Sequence, residues 1–393
     1  MPHSKYLIVG GGMTADSAVQ GIRQVDPSGS IGLISAEPHA PYNRPPLSKG
    51  LWKGDPVESV WRKPQGPGVA LHLGREAKQL HAKDRRVTDD QGTVYTFDKL
   101  LLATGGSVRR LPFGGDHIIY YRTFDDYQRL RTLTGKGKRF AVIGGGFIGW
   151  EVAAALALNG QRVTMIFPDD GVGGRIYPRD LSQFLNGFYR EKDVDVLPRE
   201  TAVGLEAHGE SFLLKTASGR DIEVDGVAAG IGIQPSTALA EAAGLKIGNG
   251  IVVNENLQTS HRDIYAAGDV AEFHNPALGK RIRVEHEDNA NTMGQAAGEA
   301  MAGKASPYHH LPFFYSDLFD LGFEAVGELD ARLETLADWK TPFREGVVYY
   351  LDQGRVRGVL LWNIFGQVDH ARKLITEPGP FKGSDLKGRL PPE

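Results

Sequence analysis

LIVGGGMTA, from Leu7 to Ala15, and AVIGGGFIGWE, from Ala141 to Glu151, decide the fold of this chain. In each, a short apolar run reads as a strand, a glycine-rich turn follows, and a helical pattern opens directly behind it. Glycines in such a turn let the backbone reverse sharply and approach a pyrophosphate, which then lies on the partial positive charge of a helix amino terminus. One loop of this kind is a weak signal. Two in one chain, together with LLATGG (Leu101 to Gly106) and YAAGD (Tyr265 to Asp269), point to a flavin and a nicotinamide nucleotide handled together.

In the first loop Gly10 and Gly12 are the turn and approach glycines, and Ala15 fills the third glycine position. Glu37, at the end of the next strand, is placed to accept hydrogen bonds from adenosine ribose hydroxyls. The second loop has the complete pattern, Gly144, Gly146 and Gly149, with Phe147 and Ile148 between the last two. Phe167 and Pro168 end the following strand, and Asp169 and Asp170 come just beyond. An acid there favours NADH through the ribose hydroxyls, while Arg175 is close enough in sequence to meet a 2′-phosphate, so NADPH is the second choice.

A length of 393 residues predicts two to three domains at roughly 150 residues each. Hydrophobic content of 41% and charged content of 24% are those of an ordinary globular protein. No run approaches the about 18 apolar residues that a membrane helix needs. MPHSKY enters a strand directly, so no signal or transit peptide is expected, and the expected location is cytoplasmic. There is no cysteine, which removes disulfides, thiolate metal sites and a redox-active dithiol together; no metal is expected. Any electrons leave from a cofactor. The net charge of −3 says little about a partner. The basic stretch from Arg109 to Arg139 reads as a solvated face with no aromatic stacking platform, so nucleic acid is not expected as a partner.

Along the chain, strands at residues 5–10 and 31–37 flank a helix from Thr14 to Arg23. The proline-rich segment His39 to Trp52 reads as a rigid loop. Short β runs fill Val69 to Gly106, a helix covers Asp125 to Leu133, and a second strand, helix, strand unit spans Phe140 to Phe167. Further strands are expected around Asp193–Leu197, Phe212–Thr216 and Gly226–Ile233, and a helix from about Asn289 to Met301. After about Ala305 the composition turns aromatic and β-rich, which marks another domain.

PYNRPPLSKGLW, LLATGGSVRRLP, VIGGGFIGWE, MIFPDDGVGGRIYP, IYAAGD, VEHEDNA, FYSDL and VLLWNIF follow one another in that order. This series resembles the apoptosis-inducing factor family of FAD-dependent NAD(P)H oxidoreductases, related to the ferredoxin and rubredoxin reductases. The resemblance implies an α/β, glutathione-reductase-like fold: two Rossmann-type dinucleotide-binding domains and a C-terminal α+β interface domain. The implied boundaries are 1–115 with 249–305 for FAD, 116–248 for NAD(H), and 306–393 for the last domain.

The resemblance also assigns roles. Lys49 and Glu151 are implied to pair beside flavin N5, where the ammonium favours an electron-rich reduced flavin. Arg44 is implied to reach the flavin pyrophosphate, and Gly268 and Asp269 to meet the ribityl chain. Ala103, Thr104 and Gly105 line the same cofactor, with Arg109 bracing its domain and Gly232 on the nicotinamide side. Glu285 and His286 are implied to position the nicotinamide against the flavin. Glu287 stands where relatives often have a second histidine, and Tyr315 where they commonly have tryptophan, which keeps aromatic stacking with less area. The implied activity is hydride transfer from NADH to flavin N5 with electrons passing to an acceptor, for which a ferredoxin, a quinone and dioxygen are the candidates. Two alternatives stand beside it: a dedicated ferredoxin or rubredoxin reductase, and an NADH-sensing redox interaction protein with a long-lived charge-transfer complex. The expected state is a monomer or homodimer. The long C-terminal insertion of animal members has no counterpart between Leu329 and Tyr350, so an apoptotic role is not carried over.

Overall fold

The computed structural model describes residues 1–63 and 68–390. Residues 64–67 and 391–393, which the sequence assigns to the first and last domains, lie outside the described residues. Two compact units are present, each built from three stretches of chain.

The first unit comprises Met1–Arg44, Val57–Ser107 and Gln234–Pro312. Its seven-stranded sheet runs in the order Val69–Leu73, Ile31–Ser35, His3–Val9, Val94–Leu102, Arg86–Asp89 and Ala77–His81, with Ile264–Ala266 beside the end of Val94–Leu102. The strands from Val69–Leu73 to Val94–Leu102 pair in parallel, as does Ile264–Ala266. Tyr6, Leu7 and Ile8 are successive and all buried, the pattern of a strand covered on both faces. The helix after the first glycine loop runs Met13–Val25, and the later helix Glu287–Met301 packs against it. A side chain at Gly298 would stand 2.2 Å from the Ala18 carbonyl oxygen, so glycine is what lets the two backbones approach. This later helix starts before Asn289 because His286, in extended conformation, occupies its N-cap. Glu287 and Asp288 then fall in its first turn, where acids suit the helix dipole.

The second unit comprises Pro45–Pro56, Val108–Ile233 and Phe313–Glu393. Its five-stranded parallel sheet runs Val194–Pro198, Arg162–Phe167, Arg139–Ile143, Gly226–Ala229, Ile118–Tyr120. The strand expected over Gly226–Ile233 stops at Ala229, because Gly232 takes a left-handed φ of +90° and turns the chain; another short strand begins at Ile233. Thr123 and Asp126 form a capping box, which starts the next helix at Phe124. The second glycine helix, Phe147–Leu158, is apolar on nearly every side and buried from Gly149 to Leu156. An antiparallel sheet of Phe313–Leu318, Leu321–Gly327, Arg355–Trp362, Glu345–Asp352 and Glu334–Thr341 carries the helix Val368–Thr376. The proline-rich segment holds only short helical turns, Pro45–Ser48 and Gly50–Lys53. Among the described residues no helix is long and apolar enough to cross a membrane.

Candidate active site

In the first unit Gly10 has a φ of +131°, and a side chain there would stand 2.1 Å from the Ala103 carbonyl oxygen. The turn therefore requires glycine. Gly12 is the N-cap of Met13–Val25, and a side chain at Gly12 would meet nothing within 4 Å. That open space at a helix amino terminus is the cradle a pyrophosphate needs. Ala15 is fully buried in the first turn of the helix. Thr104 Oγ1 donates to the Ser236 carbonyl at 2.8 Å, while the Gly105 carbonyl accepts from the Ser236 amide at 3.0 Å. Gly268 lies against Thr14, where a side chain would stand 2.3 Å from its hydroxyl.

Charged groups gather beside this loop. Arg44 donates to Glu37 at 2.5 Å, and the Tyr42 hydroxyl donates to the other Glu37 oxygen at 2.6 Å. Two residues expected to hold different parts of one nucleotide thus hold each other. The Asp269 carboxylate acts electrostatically on both Arg44 and His286, which places the three in one neighbourhood. Arg283 links the next pair, donating to the Asp269 carbonyl at 3.0 Å and pairing with Glu285 at 2.7 Å. Burial pushes the His286 imidazole down from 6.5 to about 4, against the pull of Asp269 and Asp288, so the ring is neutral at neutral pH. An interior network went unnoticed in the sequence: Arg62 donates to Asn43 at 2.6 Å, Asn291 at 2.7 Å and Asp16 at 3.3 Å.

The second unit repeats the cradle. Gly144 has a φ of +123°, and a side chain at Gly149 would stand 2.0 Å from the Gly144 carbonyl oxygen. Gly146 is the helix N-cap and, like Gly12, would meet nothing within 4 Å. Ile148 packs against Gly230, and the Phe147 ring lies 4.8 Å from that of Trp150. Beyond the buried Phe167, Asp169 pairs with Arg175 at 3.3 Å, and Asp170 faces Arg179 and Arg199 at 3.7 Å each. The Gly232 carbonyl accepts from the Arg109 amide at 3.0 Å, so Arg109 sits in this unit. In both loops the residues present fit a dinucleotide.

Also in the second unit, Lys49 Nζ lies 2.7 Å from Glu151 Oε1, with side chains 14% and 4% exposed. Two serines complete the carboxylate: Ser48 Oγ donates to Oε2 and Ser316 Oγ to Oε1, each at 2.5 Å. Trp150 Nε1 donates to Ser316 Oγ at 2.8 Å, and Lys49 stands 5.3 Å from the centre of the Tyr315 ring. Trp52 Nε1 donates to the Leu47 carbonyl at 2.8 Å, fixing the turn that carries the lysine. Neither serine was singled out from the sequence, although Ser48 lies inside RPPLSK and Ser316 inside FYSDL.

Residues 4–296 match the pyridine nucleotide-disulphide oxidoreductase family, and residues 297–342 and 338–377 match the C-terminal region of mitochondrion-associated apoptosis-inducing factor. The chain is 35% identical to apoptosis-inducing factor 1 of Dictyostelium discoideum, over 94% of this chain and 78% of that one. It is 36% identical to the ferredoxin reductase subunit of the 5,5'-dehydrodivanillate O-demethylase of a Sphingobium strain, over 91% and 89% of the two chains. Among solved structures it superposes on the reductase of a covalent putidaredoxin reductase–putidaredoxin complex with a TM-score of 0.89, at 29% identity over 98% and 95% of the chains. The fold and these likenesses show an enzyme that uses FAD and NAD(H), passes electrons onward and has no cysteine of its own. The chain belongs to the pyridine nucleotide-disulphide oxidoreductase family, and within it to the apoptosis-inducing factor group of FAD-dependent NAD(P)H oxidoreductases related to the ferredoxin reductases.

Proposed function

We propose that this protein is a cytoplasmic reductase, monomer or homodimer, that takes electrons from NADH in preference to NADPH and delivers them to a ferredoxin-type iron–sulfur protein. One observation carries the reading: the chain has two nucleotide cradles and no cysteine, so no internal dithiol can relay electrons and they leave for an outside acceptor. The relatives whose names include ferredoxin reductase support the choice of acceptor.

FAD, when bound, accepts hydride from NADH and releases the electrons. The chain supplies placement and charge. Gly10, Gly12 and Arg44 would hold the flavin nucleotide, and Asp269 and Glu37 would accept from its hydroxyls; Gly144, Gly146 and Asp169 would hold the nicotinamide nucleotide. Lys49, paired with Glu151, contributes positive charge, and Glu285 with neutral His286 positions the nicotinamide. We retain 1–115 with 249–305, 116–248 and 306–393 as the functional division; the compact units differ from it in that 45–56 and 108–115 lie in the second and 234–248 and 306–312 in the first.

The test is NADH-dependent cytochrome c reduction with and without an added two-iron ferredoxin. A strong dependence on ferredoxin is expected. Equal rates without it, together with fast turnover on a quinone or dioxygen, would reject that acceptor, and slow reoxidation by every acceptor would favour the NADH-sensing alternative.

A further inference from the structure

Trp150, Ser316 and Glu151 form a chain of hydrogen bonds whose direction is fixed by chemistry. An indole N–H is a donor only, so Ser316 Oγ accepts from Trp150 at 2.8 Å. The single proton of that hydroxyl is then free for Glu151 Oε1, at 2.5 Å. Oε1 also receives Lys49 at 2.7 Å, while Oε2 receives Ser48 at 2.5 Å, whose other acceptor, the Pro45 carbonyl, is 3.5 Å away. Glu151 is thus an acceptor of three donors, two of them hydroxyls on buried serines. Ser316 lies on Phe313–Leu318, an edge strand of the C-terminal sheet, and its neighbours are engaged too: Tyr315 with Lys49 at 5.3 Å and Asp317 with Lys53 at 2.9 Å.

We propose that Ser316, oriented by Trp150, and Ser48 are positioning residues that lock the Glu151 carboxylate against Lys49, so that the C-terminal sheet sets the charge contributed to flavin reduction. The proposal rests on the reading of Lys49 and Glu151 given above. Without the Ser316 hydroxyl, Oε1 keeps the Lys49 ammonium as its donor, and the carboxylate, with less of its charge shared, offsets more of the ammonium's field. The positive charge available to the reduced flavin falls.

Ser316→Ala is tested in the FAD-loaded protein by stopped-flow reduction with NADH and by the flavin midpoint potential, beside Ser48→Ala, Ser316→Thr and Lys49→Met. The expected result is a reduction rate at least fivefold lower at saturating NADH, an unchanged half-saturating NADH concentration, a more negative potential, and recovery in Ser316→Thr. Ser48→Ala acts through the other oxygen and gives the same signs, which keeps the test intact if Ser316→Ala fails to fold. Wild-type rate and potential in the serine variants, with Lys49→Met slowed, would overturn this inference alone. Wild-type behaviour of Lys49→Met would instead overturn the underlying reading of the pair.

Discussion

Trp150 and Glu151 are consecutive in one helix, yet their side chains meet on a single atom, Ser316 Oγ, at 2.8 Å and 2.5 Å. Neighbouring helical residues point in different directions, so a third group has to sit between them. The hydroxyl from the C-terminal sheet does so, and it ties the lysine's counter-ion to a strand far away in sequence.

Breaking that pair should be costly. Removing one member of a buried ion pair costs about 3 to 5 kcal/mol, and the partial exposure of Lys49 favours the lower figure for Glu151→Ala. Glu151→Gln keeps an acceptor oxygen and should lose less stability while still slowing reduction by NADH. Urea midpoints beside stopped-flow rates separate the two effects.

The two open cradles should separate by colour. Gly12→Val places a branched side chain where a flavin pyrophosphate would lie, without a protein clash at Cβ, so the protein should fold but purify with little FAD. Gly146→Val should stay yellow and bind NADH at least tenfold more weakly, about 1.4 kcal/mol. Absorbance ratios and NADH titrations read both, and an equal effect of the two substitutions on FAD content would count against the assignment.

His286 carries a pH dependence whose sign follows from its lowered value. Between about 4 and 6.5 the unfolded chain holds more protons at this position than the folded one, so folding stability is full above 6.5 and declines as the pH falls through that window. Denaturant midpoints measured at pH 7.5 and 5 should fall more in the wild type than in His286→Asn. An identical fall in both would show that the ring titrates normally.

In the proposed reading, Asp169 and Arg175 divide the choice of nucleotide. Asp169→Ala should weaken NADH about tenfold, roughly 1.4 kcal/mol for lost ribose hydrogen bonds. Arg175→Ala should weaken NADPH more than NADH. Half-saturating concentrations of both nucleotides for the two variants decide the matter.

The glycine loops were legible in the sequence because their geometry admits few other residues: φ values of +131° at Gly10 and +123° at Gly144 are written directly into residue choice. What residues do to one another was less legible. Arg44 and Glu37, and likewise Arg175 and Asp169, were each read as partners of a bound nucleotide, and in the structure each pair is joined. A sequence shows which charges lie near a loop, and packing decides which of them neutralise one another. Ser316 was hidden by distance along the chain, 165 residues from Glu151, where no spacing rule operates. The break after Ala229 was missed because GVAAGIGI reads as a continuous apolar run, and only the conformation of Gly232 shows where it turns.

The most direct measurement of hydride transfer is anaerobic mixing of the yellow protein with one equivalent of NADH while the flavin spectrum is followed. Prompt bleaching of the flavin band is expected, slower in Lys49→Met, with the colour returning when an electron acceptor is added. A flavin that stays oxidised with NADH and with NADPH, in protein shown to hold FAD, would contradict it.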